Sequence, residues 1–155
     1  MKRDFSSRFA FLVNEVAKLH GEHFDRAARE RIGLSRAQVR LLGAVAMRGE
    51  AVSQAELATA MGLTPMGVAS LVDRMEAAGW VERRASATDR RVNEIHLLPR
   101  AETALDEALA VSDALQARAL ATLSAAERRT LIALLQKARS GLLALEPEPA
   151  LEEGA

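Results

Sequence analysis

The fold is decided by residues 53–99, SQAELATAMGLTPMGVASLVDRMEAAGWVERRASATDRRVNEIHLLP, in which helical periodicity gives way to strand alternation. Ser53 is followed three residues later by Glu56, a capping-box pattern that predicts a helix running to Met61. Gly62 comes next, where a residue that tolerates positive φ is favoured after a helix end. The first part of this stretch therefore predicts a short helix and a tight turn.

A second helix and a β-hairpin are predicted after the turn. Thr64 is a suitable N-cap, and Pro65 suits the first helical position because its missing N–H would have no intrahelical partner there. The helix is expected to end at Gly79, and strands are expected at residues 80–84 and 92–98. Two short helices joined by a glycine turn and followed by a strand-loop-strand define a winged helix-turn-helix.

The second helix of this motif has a hydrophobic side and a small, polar side. The inward residues are predicted to be Leu63, Val68, Leu71, Val72 and Met75. Opposite them lie Met66, Ser70, Asp73 and Ala77, flanked by Ala69 and Arg74. Short side chains let a helix approach base edges in the major groove, where hydroxyls hydrogen-bond and apolar groups touch thymine methyls. The predicted DNA-contacting residues of this helix are Thr64, Pro65, Met66, Ala69, Ser70 and Arg74.

Phosphate contacts have to come largely from outside this nearly neutral helix. The helix N-termini at Ser53 and Thr64 and the Gln54 amide are candidates, because N–H groups bind phosphate oxygens. The wing adds Arg83, Arg84, Arg90 and Arg91, and an arginine at the tip of a hairpin suits the narrow minor groove. Of these groups, the predicted contacts are Ser53, Gln54, Arg84, Arg90 and Arg91. Asp73 would repel phosphate unless it were paired, so we expect a salt bridge to a wing arginine, with Arg91 favoured.

The wing and the helix-turn-helix resemble those of the multiple antibiotic resistance regulator (MarR) family. The resemblance rests on LVDRMEAAGWVERRASATDRRVNEIHLLP, residues 71–99, preceded by QAELATAMGLTPMGVAS, and the surrounding helices match in order and length. It implies a dimeric repressor or activator that small phenolic or lipophilic ligands release from DNA. It also implies that Asp73 and Asp89 pair with wing arginines and that Arg91 enters the minor groove. Leu98 and Ala101 depart from the threonine and glycine usual in the family.

Helices are predicted on both sides of this unit. Apolar residues recur at helical spacing from Phe5 to Ala27, and capping-box patterns at Ser35 and Ser124 begin two further helices. The predicted fold is mostly α (α+β), a winged helix-turn-helix whose N- and C-terminal helices form a dimerisation region. Their apolar stripes lie outside the DNA-binding unit, so we expect a second copy to cover them in a homodimer. The predicted domains are residues 1–33 and 100–145 for dimerisation, 34–99 for DNA binding, and 146–155 as a flexible acidic tail.

Composition excludes several kinds of site. The chain has no cysteine, which excludes disulfides, cysteine–zinc sites and thiol switches. It also lacks an apolar run of membrane-span length and a signal-peptide pattern, so a cytoplasmic protein with no membrane partner is expected. Net charge is zero, yet residues 1–50 carry ten basic and six acidic side chains, against five and nine in residues 101–155. This distribution is compatible with double-stranded DNA as the partner.

Enzymes, metal-responsive regulators and protein-contact modules each have sequence features of their own. The sequence has no Gly-x-Ser-x-Gly elbow, phosphate loop or dinucleotide fingerprint, so neither an enzyme nor a cofactor is expected. No metal is predicted, although a metal-responsive regulator using His20, Glu22 and His23 stays as an alternative because helical spacing places both histidines on one face. A winged-helix module for protein contacts without DNA is a further alternative, favoured by the near-neutral helix. For an effector, the polar candidates near the first two helices are His20, His23 and Arg40.

Overall fold

The computed structural model describes residues 4–49, 52–86 and 92–145, which form six helices and one three-stranded sheet. The helices are α1 (Phe9–Ile32), α2 (Arg36–Ala46), α3 (Gln54–Met61), α4 (Pro65–Ala77), α5 (Pro99–Ala119) and α6 (Ala125–Leu143), and the strands are β1 (Val52–Ser53), β2 (Val81–Ala85) and β3 (Asn93–Leu97). The predicted winged helix-turn-helix is confirmed, because α3 and α4 are followed by the β2–β3 hairpin. The chain divides into two compact units, Met1–Leu115 and Gln116–Ala155.

Serine capping boxes begin three of the helices, as the sequence predicted. At α3, the Ser53 hydroxyl accepts from the Glu56 N–H at 3.3 Å, and the Glu56 carboxylate accepts from the Ser53 N–H at 2.8 Å. Ser35 and Ser124 begin α2 and α6 in the same way. Each box satisfies backbone donors that the first helical turn leaves without an intrahelical partner. These short-range patterns therefore fix where the helices start.

The turn between α3 and α4 depends on Gly62 and Thr64. Gly62 has a φ of 63°, in the left-handed region that favours glycine. Thr64 caps α4 by accepting from the Gly67 N–H at 3.1 Å, and Pro65 is the first helical residue. Leu63 is 41% exposed, so its predicted place on the inward side is wrong. It precedes the N-cap and is therefore not part of the apolar stripe of α4.

The sheet has the strand order β1–β3–β2, with antiparallel neighbours. In the hairpin, Val81 pairs with Leu97 and Arg83 with Ile95, and both strands begin one residue after their predicted starts. Strand β1 was not predicted, because two residues that end at the cap of a helix are too few to show alternation. Its Val52 pairs with Ile95 and ties the start of α3 to the wing.

The core lies between the helix-turn-helix, α2 and the sheet. Its large, fully buried side chains are Leu41, Leu42, Val45, Val52, Leu57, Val68, Val72, Met75, Val81 and Ile95. They come from α2, α3, α4 and all three strands. Burying one such side chain stabilises a fold by about 1.5–3 kcal/mol, so α4 and the wing are both held from their inner sides.

Helix α1 carries an exposed apolar stripe. Phe9 is 55% exposed and Val16 is 63% exposed, while Gly21 and Ala28 are the buried residues of the helix. The helix begins at Phe9, so Phe5, the first residue of the predicted stripe, precedes it. In the unit Gln116–Ala155, α6 has no buried residue along its described length. Both helices therefore leave apolar side chains uncovered within their own unit.

Candidate nucleic-acid interface

Helix α4 presents a small, exposed surface, which we call the reading face and define by Met66, Ser70, Asp73 and Arg74. Met66 is 82% exposed, and the other three residues are exposed as well. On the opposite side Val68 is fully buried, together with the rest of the apolar stripe. The helix cannot rotate without exposing this stripe, so the core fixes which residues face outward.

Two residues of the reading face are linked to each other. Arg74 Nη1 donates to Ser70 Oγ at 3.1 Å across one helical turn. Ala69, beside them, is half-buried. A guanidinium steadied by a hydroxyl keeps further N–H groups for an outside acceptor, and guanine O6 and N7 accept such pairs in the major groove. The predicted contacts Ser70 and Arg74 are thus brought together.

The start of α3 forms a second part of the candidate interface. The Ser53 hydroxyl is engaged in the capping box, where it also donates to Glu56 Oε2 at 2.7 Å. Hydrogen bonds from the Ser53 side chain and backbone lower the pKa of Glu56. Gln54, the first helical residue, accepts from Arg83 Nε at 3.4 Å. The N–H groups at such a helix start suit a phosphate oxygen.

Arg83 of β2 joins three elements, and we call its contacts the Arg83 network. Its Nη2 donates to Asp73 Oδ1 at 2.5 Å, its Nη1 pairs with the Glu76 carboxylate, and its Nε reaches Gln54. The Arg83 backbone N–H also donates to Glu76 Oε1 at 2.8 Å. Burial lowers the pKa of Arg83, but the hydrogen bonds to Asp73 and Glu76 outweigh it and raise the pKa overall. A charged guanidinium therefore ties the wing to α3 and α4.

Asp73 pairs with a wing arginine, as the sequence predicted. The arginine that the structure describes as the partner of Asp73 is Arg83. The hairpin register explains this, since Arg83 lies opposite the buried Ile95 and thus on the side of the strand that faces α4. Asp89, Arg90 and Arg91 lie outside the described residues, so their predicted roles stay predictions.

Arg84 lies on the other side of the hairpin. It pairs with Glu82, and its side chain is 60% exposed. Across the hairpin it faces Glu94, whose Oε2 lies 3.7 Å from His96 Nε2. Basic and acidic groups thus alternate on this side of the wing, and Arg84 is its exposed arginine among the described residues.

Arg100 fixes the base of the wing, a contact that sequence reasoning missed. Its guanidinium carbon lies 3.6 Å from the centre of the Trp80 ring, and its Nη1 donates to the Ala78 carbonyl at 2.7 Å. A cation over an indole face is attracted by the ring quadrupole. The start of α5 thereby holds the junction between α4 and β2. The sequence signal that could have indicated this contact is the single tryptophan, Trp80, directly after Gly79.

A cleft of about 510 Å³ lies between α1 and α2. Its basic lining residues are Lys18, Arg29, Arg36 and Arg40, and its acidic ones are Glu22 and Asp25. Arg40 also donates to the Met61 carbonyl at 3.1 Å, at the end of α3. The lining does not include His20 or His23; His20 stacks on Phe24 with ring centres 6.4 Å apart, and His23 is exposed.

Residues 4–49, 52–86 and 92–145 contain no group of three or more histidine, aspartate or glutamate side chains placed to hold a metal ion. In those ranges no single helix is long and apolar enough to cross a membrane, and α3 and α4 reach that composition only as a pair bent by 111°.

Comparison with known proteins supports the resemblance stated from the sequence. Residues 32–92 match a model of the MarR family, a segment that runs from the end of α1 to the wing. The match contains the reading face, the start of α3 and the Arg83 network. The resemblance to the MarR family stated from the sequence is thereby confirmed over residues 32–92.

Solved structures share the fold over most of the chain. A MarR family protein of Mycobacterium tuberculosis in complex with p-aminosalicylic acid is 27% identical, with a TM-score of 0.69 over 84% of this chain and 98% of that one. A MarR family regulator of Rhodococcus sp. RHA1 is 25% identical, with a TM-score of 0.76 over 87% and 94%. A mutant E. coli MarR complexed with operator DNA is 19% identical, with a TM-score of 0.75 over 88% and 99%, and shows the fold alone.

Proposed function

We propose that this chain, whose residues 32–92 match a model of the MarR family, is a ligand-responsive repressor that binds a pseudo-palindromic operator as a homodimer. The observation that carries the proposal is the reading face, small and exposed in front of a fully buried stripe. A helix with this surface fits the major groove, and the wing beside it can reach the adjacent minor groove.

The roles of the DNA-contacting residues follow from their positions. On α4, Met66 and Ser70 are assigned to thymine methyl and hydrogen-bond contacts, and Arg74 to guanine. The remaining contacts on α4 and its N-terminus are Thr64, Pro65 and Ala69. Ser53 and Gln54 at the start of α3 are assigned to phosphate. Arg84, Arg90 and Arg91 are assigned to the backbone and the minor groove, with Asp89 as a partner that orients the wing.

A homodimer is supported by the uncovered apolar side chains of α1. Phe9, Leu12, Val16 and Leu19 are all at least 44% exposed and recur at helical spacing. A contiguous apolar surface of this kind marks an interface more often than a solvent-facing helix. A two-fold dimer would present its two reading faces about 34 Å apart, one turn of DNA, so the operator should contain two inverted half-sites.

The cleft between α1 and α2 is the proposed effector site. Its arginines, with Arg40 among them, suit the carboxylate or phenolate of a small aromatic acid. The complex of the M. tuberculosis protein with p-aminosalicylic acid supports this class of ligand. Because Arg40 also bonds the end of α3, a ligand that draws Arg40 into the cleft would disturb the helix-turn-helix.

The proposal is tested by selecting duplexes from a random pool and measuring their affinity as salt is raised. We expect one pseudo-palindromic sequence to be enriched, with affinity falling linearly on a log–log plot against salt. Repeating the measurement with benzoic and salicylic acids tests the effector, which should weaken binding. Failure to enrich any duplex would contradict the proposal and favour a module for protein contacts.

A further inference from the structure

The distribution of charge around α4 separates Arg83 from Arg84, the other wing arginine that the structure describes. The Arg83 side chain is 20% exposed, whereas that of its partner Asp73 is 66% exposed on the reading face. The same guanidinium pairs with Glu76, whose side chain is 37% exposed. One largely buried cation thus balances two more exposed carboxylates, and its Nε, Nη1 and Nη2 atoms all donate to protein oxygens.

Two of the partners of Arg83, Asp73 and Gln54, affect how this surface meets a negatively charged ligand. An unpaired Asp73 carboxylate on the reading face would stand against DNA phosphates, and like charges brought together at an interface oppose binding. Gln54 matters for a different reason. Its Oε1 accepts from Arg83, so its NH₂ group points away from the guanidinium and stays available as a donor at the start of α3.

We propose that Arg83 is a positioning residue for DNA binding, which neutralises Asp73 and orients Gln54 without itself binding phosphate. The inference rests on the proposed function, because it needs an operator to act on. It explains how a helix that carries an exposed carboxylate can approach DNA.

Two variants and a control separate this role from a direct contact. Arg83→Gln adds one net negative charge to the network, and Arg83→Gln/Asp73→Asn restores the original net charge. Arg129→Gln, an exposed arginine of α6, is the matched control. Affinity for the selected duplex is measured at stepwise salt concentrations, and thermal unfolding is followed in parallel to confirm that each variant is folded.

We expect Arg83→Gln to weaken operator binding at least about tenfold, because it leaves Asp73 unpaired. The double variant should recover to within about threefold of the wild type, with the wild-type slope of log affinity against log salt. If the slope of log affinity against log salt is reduced by about 0.9 in both variants, and the double variant does not recover its affinity, Arg83 binds a phosphate and the proposal is overturned. If Arg83→Gln alone does not fold, the charge-balanced double variant provides the test by itself, since it should keep the wild-type slope and a slope reduced by about 0.9 would overturn the proposal.

The orientation of Gln54 is tested by a double-mutant cycle. Gln54→Ala should weaken binding by up to about threefold in the wild type, the loss that the double variant is also expected to retain, and much less in the Arg83→Gln/Asp73→Asn background, since Gln54 is no longer oriented there. Equal losses in the two backgrounds would contradict this part of the proposal. A wild-type protein that binds no duplex would instead refute the proposed function, so the two failures are distinguishable.

Discussion

At the scale of single residues, the candidate interface combines side chains that face DNA with side chains that hold them in place. Met66 and Ser70 are exposed and belong to the first kind. Arg83 and Arg100 belong to the second kind, because their charged groups are paired with a carboxylate, a carbonyl or an aromatic ring. The two kinds of residue should respond differently to substitution.

Substitution of the residues that read bases should change which operator sequences the protein prefers. We expect Met66→Ala and Ser70→Ala to cost about 1–3 kcal/mol at particular base pairs of the operator and little elsewhere. The measurement is affinity for a set of duplexes that differ by single base pairs. Ala110→Ser, on the exposed side of α5, is the control. A uniform loss for all duplexes would show that these two residues do not read bases.

The Arg100–Trp80 contact should affect stability more than specificity. Arg100→Ala removes the cation from the indole ring and a hydrogen bond from the Ala78 carbonyl, so the free energy of unfolding should fall by about 1–2 kcal/mol. Chemical denaturation measures the change. Arg118→Ala, near the end of α5, is the matched control. A change in base preference with unaltered stability would argue against a structural role.

At the scale of elements, each helix start is stabilised by a local pattern. Ser53→Ala removes the cap of α3 and should lower the free energy of unfolding by about 1 kcal/mol, and Ser124→Ala should do the same for α6. Denaturant unfolding measures both, with Ser112→Ala inside α5 as the control. Loss of operator affinity is expected for Ser53→Ala, since the start of α3 is the proposed phosphate site.

The same capping boxes predict a pH dependence. Hydrogen bonds from Ser53 and Ser124 lower the pKa values of Glu56 and Glu127 from the ordinary glutamate value of 4.5. A carboxyl group whose pKa is lower in the folded state stabilises the fold above the unfolded pKa and loses that contribution as pH falls through the folded pKa. At pH values below about 4.5 the melting temperature should therefore decrease as the pH is lowered. This decrease should be less steep in the Glu56→Gln/Glu127→Gln variant. An unchanged pH profile in that variant would contradict this account.

Sequence patterns predicted these elements where the signal was local. The capping boxes and Gly62 placed α3 and α4 correctly, because caps and turns depend on a few adjacent residues. The pairing of Asp73 with Arg83 was not predicted, because it depends on the register of a hairpin, and a shift of one residue turns a side chain to the opposite face.

At the scale of the whole molecule, the account requires two copies of the chain. We expect Val16→Glu, a charge in the apolar stripe of α1, to shift the protein from a dimer to a single chain of 16.7 kDa and to abolish operator binding. Sedimentation equilibrium measures the mass. Arg26→Glu, an exposed charge change on the same helix, should stay dimeric. A dimer that survives Val16→Glu would place the interface elsewhere.

The most direct test of the central claim is equilibrium binding of the purified protein to the selected duplex, with stoichiometry and salt dependence measured together. The account predicts two chains per duplex, two half-sites with centres about 10 base pairs apart, and affinity that falls steeply as salt is raised. A monomer that binds no double-stranded oligonucleotide even at low ionic strength would contradict it.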